Sequence, residues 1–403
     1  MKLAEKTPGL EGKDVSMKLA ARMSRLGTET AFEVLAKARA LEEKGKSIIH
    51  LQIGEPDFDT PKHIREAAKK ALDDGMTHYT PSAGYAPLRD AVVRWIKKTR
   101  GLDIKRENVV ITTGGKPVMF HGILALVDEG DEVVCPNPGY PIYESMINFA
   151  GGKPVPLPIL EEKDFRFDVR DLEKLVGSKT KLIIINSPQN PTGGVLNRDD
   201  LKAIARLAKK YDCWILADEI YSQILYDGTK FESIATEPDI MDRLIILDGW
   251  SKSYAMTGWR MGYGIMPEKL AVHVTRLITN SESCNNTFAQ IGGMAALDGP
   301  QDGVGQMVAE FKRRRDAMVD GLNRIKGFSC KKPLGAFYAF PNIKKTGKTS
   351  KELADYLLYE AGVACLAGTC FGSYGEGYLR FSYANSIENI REALKKIESS
   401  VCW

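Results

Sequence analysis

Five short apolar runs punctuate the middle of the chain. Val109–Thr112 is β-branched and stops at Gly114 and Gly115. Glu132–Cys135, Leu182–Asn186, Cys213–Asp218 and Leu244–Asp248 repeat the pattern, and each gives way to Pro, Gly or polar residues. Between the third and fourth runs, Leu201, Ile204, Ala205 and Ala208 fall at helical spacing on one face. Continuous apolar strands alternating with amphipathic helices predict an α/β fold, with a mostly parallel sheet covered on both sides. The pattern assigns residues 62–297 to a large domain of this kind. Beyond it the rhythm changes. Met307, Phe311, Met318 and Leu322 mark one long helix, and Ser386 is placed to cap another from Ile387 to Ile397. Ala336–Phe340 and Tyr378–Tyr383 read as short strands. Residues 298–403 are therefore expected to form a smaller α+β domain, with residues 1–61 as an arm and part of it.

A chain of 403 residues is long for one core, which agrees with two domains. The net charge is only +4, from 56 basic and 52 acidic residues, so no strong field favours nucleic acid or an anionic membrane. The basic run Lys312–Arg315 is flanked by Glu310 and Asp316 and reads as a solvated helix face. No apolar run approaches the ~18 residues of a membrane span, and the polar start Met1–Lys6 lacks a secretory segment. Seven scattered cysteines, with no Cys-x-x-Cys pair, point to a reducing compartment, read here as the cytoplasm. The five histidines do not cluster, and no metal site is expected.

In an open parallel sheet, ligands bind beyond the carboxyl ends of the strands, so the polar residues following each apolar run are the candidates. ITTGGKP (Ile111–Pro117) offers a tight turn and backbone N–H groups at a helix start, suited to an anion or simply to a strand-to-helix turn. Lys116 precedes Pro117 and not Ser or Thr, which excludes a Walker A loop. NSPQNPTGG (Asn186–Gly194) is a rigid turn that presents Asn190 or serves only as a turn. Asp218 ends a buried strand, where it either caps the next turn or pairs with a cationic ring nitrogen, with Tyr221 three residues on. Lys252 follows the fifth run among Trp250, Tyr254, Met256 and Trp259, and burial would make its amine nucleophilic. Arg260 lies eight residues further, where a guanidinium suits a phosphate. Together these supply an anion cradle, an acid for a ring nitrogen and an amine for a Schiff base, which is the equipment of a pyridoxal phosphate site.

From about Leu26 to Ile397 the chain resembles the class I and II aminotransferases of the aspartate aminotransferase fold. The resemblance is carried by GEPDFDTP (Gly54–Pro61), HYTPSAGYAPLR (His78–Arg89), TGGK, NPTGG, ADEIY, SKSYAMTGWRMGY (Ser251–Tyr263) and LRFSYA (Leu379–Ala384). It implies that Lys252, next to Ser251, holds pyridoxal 5'-phosphate as a Schiff base and later moves the α-proton. Asp218 would keep the ring nitrogen protonated, Asn190 and Tyr221 would bond the ring oxygen, and Tyr140 would stack on the ring. Gly114, Gly115, the Lys116 backbone and Arg260 would hold the phosphate. Tyr79 would reach the phosphate of a neighbouring subunit in a homodimer with shared sites. Arg380, with Gly54 and Asn190, would take the substrate carboxylate. The implied reaction moves an amino group from an amino acid to a 2-oxo acid by a ping-pong route. A β-lyase of the same fold, or a binding protein that kept the fold without the activity, are the rivals.

Two departures stand out. Gly249 occupies a position where many members place a phosphate-binding serine. GTETAF (Gly27–Phe32) replaces the serine-containing pattern by which one aspartate aminotransferase subgroup contacts a distal carboxylate. Glu29 would repel such a carboxylate and Lys116 would attract it, so the donor reads either as aspartate or as a broader, neutral set.

Overall fold

The computed structural model describes residues 18–401. The polar start Met1–Lys6 and Cys402 lie outside them. The twelve strands are β1 (Ile49–His50), β2 (Val109–Thr112), β3 (Glu132–Asn137), β4 (Lys153–Pro158), β5 (Thr180–Asn186), β6 (Trp214–Asp218), β7 (Leu244–Gly249), β8 (Gly262–Ile265), β9 (Tyr338–Ala339), β10 (Val363–Ala364), β11 (Leu366–Ala367) and β12 (Leu379–Ser382). Seven of them form the central sheet, in the order β2-β8-β7-β6-β5-β3-β4. Its pairings are parallel except at β8, which runs antiparallel to both β2 and β7.

Alternate side chains of these strands enter opposite cores, as period-two geometry requires. Val110, Leu182, Ile184, Leu216 and Ile245 face one core, with Met119, Ile123 and Met146 from the helices Lys116–Leu126 and Ile142–Ala150. Ile111, Ile183, Ile215 and Ile246 face the other, with Leu88, Val92, Leu201 and Ile204 from Ala86–Arg100 and Arg198–Tyr211. Burial on both faces is why the strands read as unbroken apolar runs. The five predicted runs are β2, β3, β5, β6 and β7, with ends shifted by a few residues.

Two strands of the sheet carry no such signal. β4 has the sequence KPVPLP and sits at the edge, where proline is tolerated because one row of N–H groups needs no partner. β8 reads GYGI. A Cβ on Gly262 would lie 2.4 Å from the carbonyl carbon of Gly114, so only glycine admits the turn that follows β2.

The C-terminal region adds the antiparallel sheet β11-β12-β9, and β1 pairs in parallel with β10. The N-terminal segment thereby joins the C-terminal part. The strand expected at Ala336–Phe340 shortens to Tyr338–Ala339. Ala336 sits at φ 57° and its N–H bonds Ile224 O at 3.0 Å, which draws it out of the ladder. The helices expected near Met307–Leu322 and Ile387–Ile397 span Asp302–Leu322 and Ile387–Ser400, and Ser386 caps the second through Asn389 N–H. Among the described residues, no helix is long and apolar enough to cross a membrane.

A buried ionic cluster ties the helix Ala86–Arg100 to the strand ends. Arg100 donates to Glu219 at 2.7 Å and to Asp248 at 2.6 Å, while Ser233 and Tyr263 donate to the same carboxylates. Removing the guanidinium would leave two carboxylates in a dry interior. Arg100→Leu is expected to lower unfolding free energy by about 3–5 kcal/mol. Urea denaturation of the variant beside the parent checks this; a loss near zero would show that the cluster is solvated.

Candidate active site

The carboxyl ends of β5, β6 and β7 converge, with Asn186 paired to Asp218 and Asp218 to Leu247 across the ladder. Beyond them opens a cavity of about 360 Å³. Every site residue expected from sequence lines it except Gly114 and Tyr79.

Lys252 lies three residues past β7. Its Nζ donates to Gly54 O at 2.6 Å and stands 5.8 Å from the Phe337 ring. Burial lowers its pKa to about 8, opposed by Glu55 and reinforced by Arg380. Part of the amine is therefore neutral near pH 7, the form that attacks a carbonyl.

Asp218, 8 % exposed, accepts a hydrogen bond from Tyr143 Oη at 2.6 Å and one from Ile220 N–H at 3.2 Å. Burial raises its pKa to about 6, against the pull of those two donors. No Lys or Arg lies within ion-pairing distance of it among the described residues. Burial likewise holds the Tyr221 hydroxyl well above its ordinary range, so it stays protonated, and it shares a 2.8 Å hydrogen bond with Tyr338 Oη.

On the opposite wall Arg380, in β12, reaches Gln52 O at 2.5 Å and Asn190 Oδ1 at 3.0 Å. Its guanidinium lies 4.5 Å from the Tyr338 ring and 4.9 Å from Phe371. Arg380 has no acidic partner among the described residues, and its buried Nε has no acceptor. Asn190 is oriented by Asn186, whose Oδ1 accepts from Asn190 N–H at 2.9 Å and whose Nδ2 donates to Asp218 O at 3.0 Å.

The turn after β2 supplies an anion cradle. Gly114 adopts φ 91°, Gly115 is the N-cap of the helix that begins at Lys116, and Gly115 and Lys116 line the cavity. Arg260 folds over this turn, donating to Thr257 O at 2.8 Å and Thr113 O at 3.2 Å. A Cβ at Gly114 would lie 2.2 Å from Arg260 Nη2, so glycine is what lets the guanidinium close on the turn. Ser251 lines the same end. Gly249 has a packing reason of its own. A Cβ there would meet Gly262 Cα at 2.9 Å and Met261 O at 3.0 Å, leaving no room for a serine without movement of β8.

Glu29 and Lys116 both face the cavity and pair with each other at 2.5 Å. Tyr140 Oη donates to the same Glu29 oxygen. Tyr79 is 89 % exposed and lies away from this chain's cavity. Sequence reasoning missed Tyr143, Tyr338, Asn186 and Phe371. Asn186 opens the turn already singled out, four residues before Asn190, and Tyr143 stands three residues after Tyr140. Tyr338 and Phe371 come from the C-terminal region and carry no local signal.

The sequence profile of the family described as Aminotransferase class I and II matches residues 46–397. The chain belongs to the class I and II aminotransferases. Its relatives include aromatic-amino-acid aminotransferase 2 of Thermococcus litoralis, 41% identical over 385 residues, 95% of this chain and 98% of that protein. The aspartate aminotransferase of Pyrococcus abyssi is 42% identical over 356 residues, 88% of this chain and 91% of that one. Among solved structures, the aspartate aminotransferase from Thermus thermophilus with maleate superposes with a TM-score of 0.91 at 35% identity, covering 96% of this chain and all of its own.

This aminotransferase is a pyridoxal phosphate-dependent enzyme, and its cavity fits that group. A buried carboxylate without a cation awaits a protonated ring nitrogen. A glycine turn under Arg260 suits a phosphate. An amine of lowered pKa lines the same cavity.

Asp218 of the aminotransferase also gives a pH prediction. Its folded pKa of about 6 exceeds the unfolded value of 3.8, so the folded state binds the extra proton between those limits. Stability of the cofactor-free protein is then fully present below the lower value and lost as pH rises through the upper one. Asp218→Asn removes the charge and keeps one of the two acceptors, turning an amide NH2 towards the other donor, so it is expected to stabilise the cofactor-free protein at pH 7 by less than the ~3 kcal/mol that the pKa difference alone would give. The variant should lose most of this advantage at pH 4, where the charge-linked part falls to about 0.5 kcal/mol. Thermal melts at both values check this, and an equal effect at both would refute it.

Proposed function

We propose that Lys252 is the residue that captures pyridoxal phosphate and carries the proton in transamination of an L-amino acid with a 2-oxo acid. The observation that carries the reading is the coexistence, in one cavity, of a low-pKa amine, a lone carboxylate and a lone guanidinium. The chemistry the cofactor supplies when bound is an aldehyde that condenses with amines and a ring that draws electrons from the α-carbon.

The residues divide the work. Asp218, its carboxylate aimed by Tyr143 and Ile220 N–H, holds a proton on the ring nitrogen. Tyr221 donates from its protonated hydroxyl, and Asn190 offers its amide, to the ring oxygen. Tyr140, which lines the cavity, would stack on the ring. Gly114, Gly115, Lys116 N–H, Ser251 and Arg260 bind the phosphate. Arg380 takes the α-carboxylate, with Asn190 and Gly54 beside it. Lys252 Nζ would take the substrate α-proton and hold it for return. Positioned proton transfer of this kind contributes roughly 10²–10⁴-fold. Relatives named for aspartate and for aromatic amino acids support a donor from one of those classes.

The reading includes a cytoplasmic homodimer. Tyr79, at 89 % exposure, and the exposed apolar Leu26 and Phe32 support a subunit contact that brings Tyr79 to the neighbour's phosphate. Six free cysteines among the described residues support a reducing compartment. The pairing of β1 with β10 supports grouping residues 1–61 with 298–403 around the large domain 62–297.

Lys252→Ala is expected to lose the Schiff-base absorption band and to lower turnover at least about 10²-fold. An active variant that retains the band would sink the assignment. Arg380→Ala should keep the cofactor while KM for the amino acid rises at least about 30-fold, the loss expected for a buried charge-assisted contact. Steady-state kinetics beside cofactor content separates the two, and an unchanged KM would make Arg380 structural.

A further inference from the structure

Glu29 occupies the N-cap position of the helix Thr30–Glu42, yet its carboxylate makes no capping bond. It reaches across the cavity to Lys116 Nζ at 2.5 Å, and its Oε1 also accepts from Tyr140 Oη. Lys116 Nζ stands 5.9 Å from the Tyr140 ring, so the three side chains form one unit. Ala31, Phe32 and Ile53 line the cavity beside them.

The two cations offered to a substrate therefore differ. Arg380 is buried and has no acidic partner among the described residues, whereas Lys116 is already neutralised. A substrate with one carboxylate pairs with Arg380 and leaves the Glu29–Lys116 bond whole. A dicarboxylate gains nothing net at Lys116, because it exchanges one carboxylate for another. It also leaves Glu29, of like charge, beside it.

We propose that Glu29 is the specificity-determining residue of this site, and that by neutralising Lys116 it favours amino acids with uncharged, aromatic or aliphatic side chains over aspartate and glutamate. The proposal rests on the reading that Arg380 takes the α-carboxylate. Tyr140 acts as a positioning residue, holding the Glu29 carboxylate at Lys116 through its hydroxyl.

The test is calorimetric binding of two unreactive ligands, maleate and 3-phenylpropionate, to the cofactor-loaded enzyme and its variants. Glu29→Gln keeps the length and the acceptor while removing the charge. The Lys116 side chain is 49% exposed and that of Glu29 16%, so solvent screens the pair and the preference should shift towards maleate by about fivefold. Lys116→Met leaves Glu29 without its cation and should shift the preference the other way. Single-turnover reactions with aspartate and phenylalanine should follow the same two directions. An unchanged or reversed preference in Glu29→Gln overturns the proposal. Arg380→Ala weakens both ligands alike if Arg380 takes the shared carboxylate. If it weakens neither, the assignment of Arg380 fails, and the Glu29→Gln shift still judges Glu29 on its own.

Discussion

A carboxylate and a guanidinium share one cavity, and among the described residues neither has a partner of opposite charge. Burying such groups costs free energy unless something compensates. Asp218 shows the cost in its raised pKa, although Tyr143 and Ile220 N–H already donate to it. Arg380 is held by carbonyl oxygens and aromatic faces that orient the guanidinium without cancelling its charge. The molecule keeps a charge of each sign in waiting. A ligand carrying a ring cation near one and a carboxylate near the other releases both costs at once.

That arrangement demands rigid surroundings, and the sheet provides them. Asp218 ends β6, Asn186 ends β5, and the loop bearing Lys252 follows β7, so three neighbouring strands aim their first polar residues at one place. Arg100 neutralises the acids next to this point, Glu219 and Asp248, and leaves Asp218 alone. Glycines at 249 and 262 let β7, β8 and the turn after β2 approach at distances no side chain would permit, and Gly114 leaves room for the Arg260 guanidinium. The same closeness gives a packing reason for Gly249, which stands where many members of the family place a serine.

The Glu29–Lys116 pair follows the opposite logic. Here the two charges meet within the cavity, and their mutual neutralisation makes that wall nearly uncharged. On the proposed reading, the charge left open at Asp218 suits the cofactor and the one at Arg380 suits the carboxylate common to every substrate. A charge closed at Lys116 bears on what the side chain is allowed to be. One cavity thus separates reaction from selection by which ions it leaves unpaired.

Much of this was legible in the chain itself. The five buried strands announce themselves as apolar runs, and in a parallel sheet the residue that ends such a run stands at the ligand side. Asp218, Asn190 and Lys252 were readable for that reason. β4 and β8 were not, because an edge strand tolerates proline and a crowded strand requires glycine, and both look like turns. Tyr143 reaches Asp218 from 75 positions away, Tyr338 meets Tyr221 from 117, and Glu29 finds Tyr140 across 111. No local pattern encodes such meetings. The sequence by itself determined the strands, the turns at their ends and the reactive groups those turns present, since each depends on neighbours a few residues apart. Only the tertiary structure decided which charges are cancelled and which stay open, because that depends on which distant elements pack against the cavity and on how much water they exclude.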